Sequence, residues 1–236
     1  MRRSLEQSRV DTNGIIVDKE TPTGISVILA NGSDRAILTY PGTIPKMEAA
    51  EVDPIIIRLS RHLHVGGYFI QTALQPGLPR LYDQAHEWGL SVSLDPNFDP
   101  SEKWNSGVNQ LLNKVDVFLP NALECKGIAR TTQLESAIKY LQPKVNYLAV
   151  KLGENGALLS TQSKIFRTDA IQVEVSDTVG AGDSFDAGFI YGYLAGWNPE
   201  KTLKFANICG GLSTRLSGGT AAQPTFDEAY RYLQSQ

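Results

Sequence analysis

Asp177-Thr178-Val179-Gly180-Ala181-Gly182-Asp183-Ser184-Phe185 joins a strand-like run to a long apolar stretch. The sequence predicts a helix over Ala181–Ala195, with Gly180, Ala181 and Gly182 at its start and Asp183 in its first turn. Small residues let peptide N–H groups approach an anion closely. The positive end of a helix dipole favours negative charge there. A phosphoryl group in transfer meets both conditions, and Asp183 is placed to accept a proton from an attacking hydroxyl. The plainer reading is a tight turn whose acid stabilises the helix by about 0.3–1 kcal/mol. Both can hold, because the turn is what aims the amides.

Two better-known phosphate motifs are excluded. Gly180-x-Gly182 lacks the third glycine of a dinucleotide fingerprint, where Phe185 stands, and GxxxxGK[ST] is absent.

Upstream of this segment the chain alternates strand and helix. Gly14–Asp18, Ile25–Ala30 and Ala36–Tyr40 read as strands, with Asn31-Gly32-Ser33-Asp34 as a hairpin signal. Ile55–Ile57 and His62–Val65 read as extended, Leu78–Trp88 as a helix stopped by Gly89, and Ser91–Leu94 as a strand. Val108–Leu112 reads as helix, Val115–Leu119 as strand, Thr132–Leu141 as helix and Tyr147–Lys151 as strand. Leu158–Leu159, Ile165–Arg167 and Ile171–Val175 read as short antiparallel strands, and Ala206–Leu216 as a small-residue helix packing on the one after Gly180. Such alternation predicts an α/β fold with a mostly parallel sheet covered on both faces. Its ligand crevice lies beyond the carboxyl ends of the strands, where Asp95, Asn121 and Lys151 all fall.

At 236 residues and 42% hydrophobic, the chain can bury the core of one folded domain. A formal net charge of −3 offers no basic surface for nucleic acid or an anionic membrane. The two cysteines, Cys125 and Cys209, are too few for a disulfide framework and suit reduced thiols in a cytoplasmic protein. Met1-Arg2-Arg3-Ser4 is basic but leads into no apolar run, so neither a signal peptide nor a membrane span is expected.

The segment DTVGAGDSF and the following Asp186-Ala187-Gly188-Phe189 resemble the second signature of the PfkB/ribokinase family of carbohydrate kinases. Thr23-Gly24, Asp95-Pro96-Asn97, Asn121-x-x-Glu124 and Lys151-Leu152-Gly153-Glu154-Asn155-Gly156 extend the resemblance in order over nearly the whole chain. It implies a ribokinase-like three-layer αβα sandwich over 1–236, with a small β lid at about 12–42. It also implies an ATP-dependent kinase that phosphorylates a hydroxyl of a small carbohydrate with Mg²⁺. The family's opening strand, with its substrate-binding Asp, and its Gly-Gly-x-x-x-Asn segment have no counterpart. The resemblance begins in a helix like Met1–Ser8. A sheet shortened in this way exposes an edge or an apolar face, so dimerisation or modest stability is expected.

Carried over residue by residue, the resemblance makes Asp183 the catalytic base and Gly180, Ala181 and Gly182 the anion hole. Asn121 and Glu124 would hold Mg²⁺ through water, although the same spacing is a helix capping box. Lys151, Gly153, Gly156 and Asn207 fall on the ATP side, where Lys151 pairs with phosphate or is a solvated strand end. Asp177 and the backbone of Val179 match a K⁺ site that some members use. On the substrate side stand Gly67 and Asn97, and Asp99 replaces the Arg of the family's D-x-N-x-R pattern, which favours a neutral sugar or nucleoside. His62 and His64 share a strand face but lack a third zinc ligand. Tyr191 and Tyr193 read as core packing. The competing readings are a nucleoside kinase of the same fold and a non-catalytic nucleotide-binding protein without a positioned acceptor.

Overall fold

Side chains on successive strand residues point to opposite faces, and here both faces are apolar. Val92, Leu94, Phe118, Leu148, Val150 and Leu158 pack to one side, and Val117, Leu119, Ala149, Ala157 and Leu159 to the other. A sheet buried on both faces follows. The computed structural model describes residues 2–31 and 34–235, the side chains of 28–37 excepted. Its first elements are helix α1 (Arg2–Gln7), strands β1 (Ile25–Asn31) and β2 (Asp34–Tyr40), and helix α2 (Pro54–Arg58). Then come β3 (His62–Gly66), α3 (Leu78–Glu87), β4 (Ser91–Asp95), α4 (Val108–Leu111) and β5 (Val117–Phe118). Helices α5 (Ala122–Ala129) and α6 (Leu134–Leu141) lead to β6 (Tyr147–Lys151), β7 (Ala157–Thr161) and β8 (Ile165–Thr168). The chain ends in α7 (Ala181–Leu194), α8 (Pro199–Ser213) and α9 (Phe226–Gln234).

The six-stranded sheet runs β3-β4-β5-β6-β7-β8. Strands β3 to β6 are parallel, while β7 and β8 return antiparallel. Helices α3 to α6 cover one face, and α7 and α8 the other. This is a three-layer α/β sandwich. Helix α9 adds a satellite core around Phe205, Ile208, Leu212 and Ala229.

Three expected strands are absent. Gly14–Asp18 is irregular: Ile15 N donates to the Thr12 carbonyl at 3.2 Å, and the Asp18 carboxylate accepts from Glu20 N and Thr21 N at 2.8 and 2.9 Å. Those bonds turn the backbone locally instead of offering it to a neighbour. Ile55–Ile57 lies in α2, because Pro54 opens a helix at its first position and the Asp53 side chain accepts from Ile55 N at 2.8 Å. Ile171–Val175 has no strand partner among the described residues; Ile171 and Val173 face α8 instead. Other elements shift. Helix α8 begins at Pro199 rather than 206, capped by Asn198, whose side chain accepts from Lys201 N at 2.8 Å. Strand β5 shrinks to two residues, although Asp116 N and Leu119 N still donate to Val92 and Leu94 carbonyls. The hairpin turn at Gly32-Ser33 lies outside the described residues.

Helices α7 and α8 lie close because Gly188 faces Ala206 and Cys209. A Cβ at Gly188 would stand 2.9 Å from Cys209 Sγ and 3.0 Å from Ala206 Cα. Strands β1 and β2 form a separate antiparallel pair in which Ile25 faces Tyr40 and Val27 faces Leu38. These four side chains are all exposed.

Candidate active site

The parallel strands end together. Gly66 pairs with Asp95, and Asn121 bridges to Lys151. Helix α7 lies across the same end of the sheet and sends Asp186 to Lys151. Asp95, Asn121, Lys151 and the glycine turn before α7, though far apart in sequence, thus meet in one crevice.

Gly180 is the N-cap of α7, with φ of +76°. A Cβ there would run into the Gly219 carbonyl, so glycine is required both by conformation and by space. Ser184 N donates to the Gly180 carbonyl at 3.0 Å, which starts the helix, and Ala181 N donates to the Thr178 carbonyl at 3.3 Å. Gly180 has no side chain with which to cap the helix start. Amides of an uncapped first turn are the ones an anion can reach. Asp183 is exposed at the third position, and Ser184 is buried behind it. Asp177 ties the turn to the loop after α8: its Oδ1 accepts from Val179 N at 3.0 Å and its Oδ2 from Gly218 N at 3.1 Å.

Asn121 and Glu124 form the capping box of α5. Glu124 N donates to Asn121 Oδ1 at 2.9 Å, and Asn121 N donates to Glu124 Oε2 at 2.8 Å. Asn121 Nδ2 adds a bond to Glu124 Oε1 at 2.6 Å. Glu124 is buried; burial first, then the charge of Asp95, pushes its carboxyl up to about 7.

Lys151 is not a solvated strand end. Its Nζ lies 2.9 Å from Asp95 Oδ2 and 3.1 Å from Asp186 Oδ1, and its side chain is 14% exposed. Gly153 and Gly156 shape the turn between β6 and β7, where Gly156 N donates to the Gly153 carbonyl. Asn207 is buried in α8, and its amide donates to the Asp169 carbonyl at 2.8 Å. Gly67 starts a short helical turn after β3, and its N–H donates to the Asp95 carbonyl at 3.0 Å. Asn97 is exposed with φ of +57°. Asp99 turns inward and accepts from Ser101 N, Ser101 Oγ and Trp104 N at 2.7 to 2.9 Å. That carboxylate folds its own loop, so its place in the motif does not speak to substrate charge.

Sequence reasoning quoted Asp186 but gave it no part in the site. The signal was an acid three residues after Asp183 within an apolar helix, and Asp186 is buried there. It also passed over Gly218-Gly219, whose backbone completes the turn. Among the described residues no cluster of three or more His, Cys, Asp or Glu is arranged to hold a metal by itself.

The pfkB family carbohydrate kinase pattern matches residues 1–225. The chain belongs to the pfkB family of carbohydrate kinases. Such enzymes are phosphotransferases with a hydroxyl acceptor, and this kinase is 29% identical over 238 residues to the ATP-dependent ribose-1-phosphate kinase of Halopiger xanaduensis. That alignment spans 100% of this chain and 76% of the relative. The kinase fold superposes with a TM-score of 0.90 on an E. coli protein described as a ribokinase II, solved with ATP and Mg²⁺. There the identity is 23%, with 100% of this chain and 78% of the other covered. For a Vibrio cholerae fructokinase with fructose, ADP and calcium bound, the TM-score is 0.82 at 23% identity, covering 99% and 80%.

Proposed function

We propose that this pfkB kinase transfers the γ-phosphoryl group of ATP to a hydroxyl of a small carbohydrate, with Asp183 as the base. The observation that carries the reading is an exposed carboxylate in the uncapped first turn of α7, at the carboxyl ends of the parallel strands. Asp183 would orient the hydroxyl and take its proton late, since a loose phosphoryl transition state delays proton transfer. The turn Gly180, Ala181 and Gly182 would present backbone N–H groups to the charge that develops on the phosphoryl oxygens.

Magnesium fits the residues present. That ion keeps several waters and needs only one or two carboxylates beside substrate phosphates. Asn121 and Glu124 would hold it through water, each Glu124 oxygen having a lone pair beyond its bond to Asn121. When bound it neutralises charge on the transferring phosphate. Potassium beside Asp177 and Val179, and nucleotide contacts by Gly153, Gly156 and Asn207, are finer parts of the same reading. Gly67 and Asn97 would border the sugar.

The kinase would act as one domain over 1–236, with the β1–β2 hairpin as a lid that closes over the sugar and limits hydrolysis of ATP. The exposed apolar face of that hairpin supports a homodimer. A cytoplasmic location agrees with two unpaired, buried cysteines. Among the described residues no helix is long and apolar enough to cross a membrane.

The test is ATP- and Mg²⁺-dependent phosphorylation across neutral pentoses and hexoses, sugar acids, sugar phosphates and nucleosides. Turnover of a carbohydrate above all nucleosides is expected. Turnover of nucleosides alone would move the assignment to a nucleoside kinase, and nucleotide binding with no turnover would overturn it.

A further inference from the structure

Lys151 joins three elements of the crevice. Its side chain leaves the end of β6 and meets Asp95 at the end of β4 and Asp186 in the first half of α7. Its backbone N–H donates to the Pro120 carbonyl at 2.9 Å and so also fixes the turn that carries Asn121. A Cβ at Gly182 would stand 3.5 Å from Lys151 Nζ, which puts the ammonium directly beneath the glycine turn. Asp186 is one helical turn from Asp183, on neighbouring positions of the same side of α7, so the link to Lys151 fixes the turn of the helix from which the exposed carboxylate projects. Asp95 in turn accepts from Asn97 N at 2.9 Å through its other oxygen.

An ammonium has three donors. Here Asp95 and Asp186 take two of them at short range, in a place where all three side chains are almost buried: 14%, 14% and 4% exposed for Lys151, Asp95 and Asp186. A lysine in that setting is held as an ionic anchor. Reaching a nucleotide phosphate would break two charge-assisted bonds and strand two carboxylates in a low-dielectric site.

We propose that Lys151 is a positioning residue, clamped by Asp95 and Asp186, that sets the first turn of α7 and thereby aims Asp183 and the turn's amides at the transferring phosphoryl group. The proposal rests on the kinase reading above and replaces the role of Lys151 as a phosphate ligand. Small displacement of a reacting group is enough to matter, since a 1 Å error can cost about 10²-fold in rate.

Three variants test it: Lys151→Met, Lys151→Met with Asp186→Asn, and Asp186→Leu. Kinetics and ADP binding by calorimetry are the readouts, with circular dichroism to check folding. Lys151→Met is expected to lower kcat about 10²-fold while the KM for ATP and the Kd for ADP move by less than about threefold. The double variant lets the amide at position 186 donate to the Asp95 carboxylate, and it should recover at least about a tenth of the wild-type kcat. Asp186→Leu leaves Lys151 paired only with Asp95 and should lower kcat as Lys151→Met does, again with ADP affinity kept. It carries the test if Lys151→Met does not fold. A tenfold loss of ADP affinity in both Lys151 variants, or full activity in Asp186→Leu, would overturn the proposal. A wild-type protein that phosphorylates no alcohol would instead overturn the kinase reading, and the ADP titrations would still decide whether Lys151 touches phosphate.

Discussion

Two carboxylates of the crevice show how the same side-chain chemistry divides by environment. Asp183 is exposed at the helix start, whereas Glu124 is buried beneath its own helix cap. The folded protein therefore holds the Glu124 proton more tightly than the ordinary value of 4.5 allows. A raised carboxyl contributes stability that is complete below about pH 4.5 and is lost as pH rises through about 7. Glu124→Gln keeps the capping box and removes the titration. Melting curves should show the variant gaining on wild type between about pH 5 and 8, by an order of 2 kcal/mol. The same variant should need more Mg²⁺ for half-maximal activity. A constant stability difference across that range would contradict the assigned burial cost. The cap was visible in Asn121-x-x-Glu124, and so was the proposed metal role, because a capping box and a water-mediated metal site can share that spacing. Lys151 was less legible: whether a strand-end lysine is solvated or clamped depends on Asp186, which is 35 positions away and comes close only through the crossover of α7.

Among the elements, the strands were legible wherever both neighbours in the sheet exist. Ser91–Asp95 alternates polar and apolar residues, Tyr147–Lys151 is a short apolar run, and both are paired on both sides. Ile55–Ile57 was misread because three β-branched residues outweighed a Pro at the first helical position and an Asp cap. Ile171–Val175 alternates as a strand would, but its apolar partner is a helix. Such choices are tertiary and leave little trace in local sequence. The α7–α8 contact is different, since Gly188 announces close approach. Gly188→Val should drive the helices apart and cost about 1–3 kcal/mol, read as a lower urea midpoint. It should also depress kcat, because α7 carries Asp183. Gly180→Ala combines a positive φ with a clash against the Gly219 carbonyl and should cost about 1–3 kcal/mol. An active, fully stable Gly180→Ala protein would show that the turn is not required in this shape.

For the whole molecule, the resemblance reached the three-layer sandwich and the order of its parts because the fold is carried by parallel strands whose ends collect the motifs. What it could not supply is how the hairpin sits in solution. Ile25, Val27, Leu38 and Tyr40 present one exposed apolar face. If that face joins two copies, Val27→Asp with Leu38→Asp should shift the molecular mass by light scattering from dimer to monomer while the melting temperature of the main sheet stays put. A wild-type monomer at all concentrations would remove the dimer from the account.

On the proposed reaction, Asp183 at the start of α7 takes the proton of the alcohol as phosphate arrives. The most direct measurement is the steady-state kinetics of Asp183→Asn beside wild type on the same sugar, with ADP affinity measured in parallel. A kcat lower by about 10²–10⁴-fold, with ADP binding and melting temperature preserved, is the predicted result. A kcat within a few-fold of wild type would contradict it.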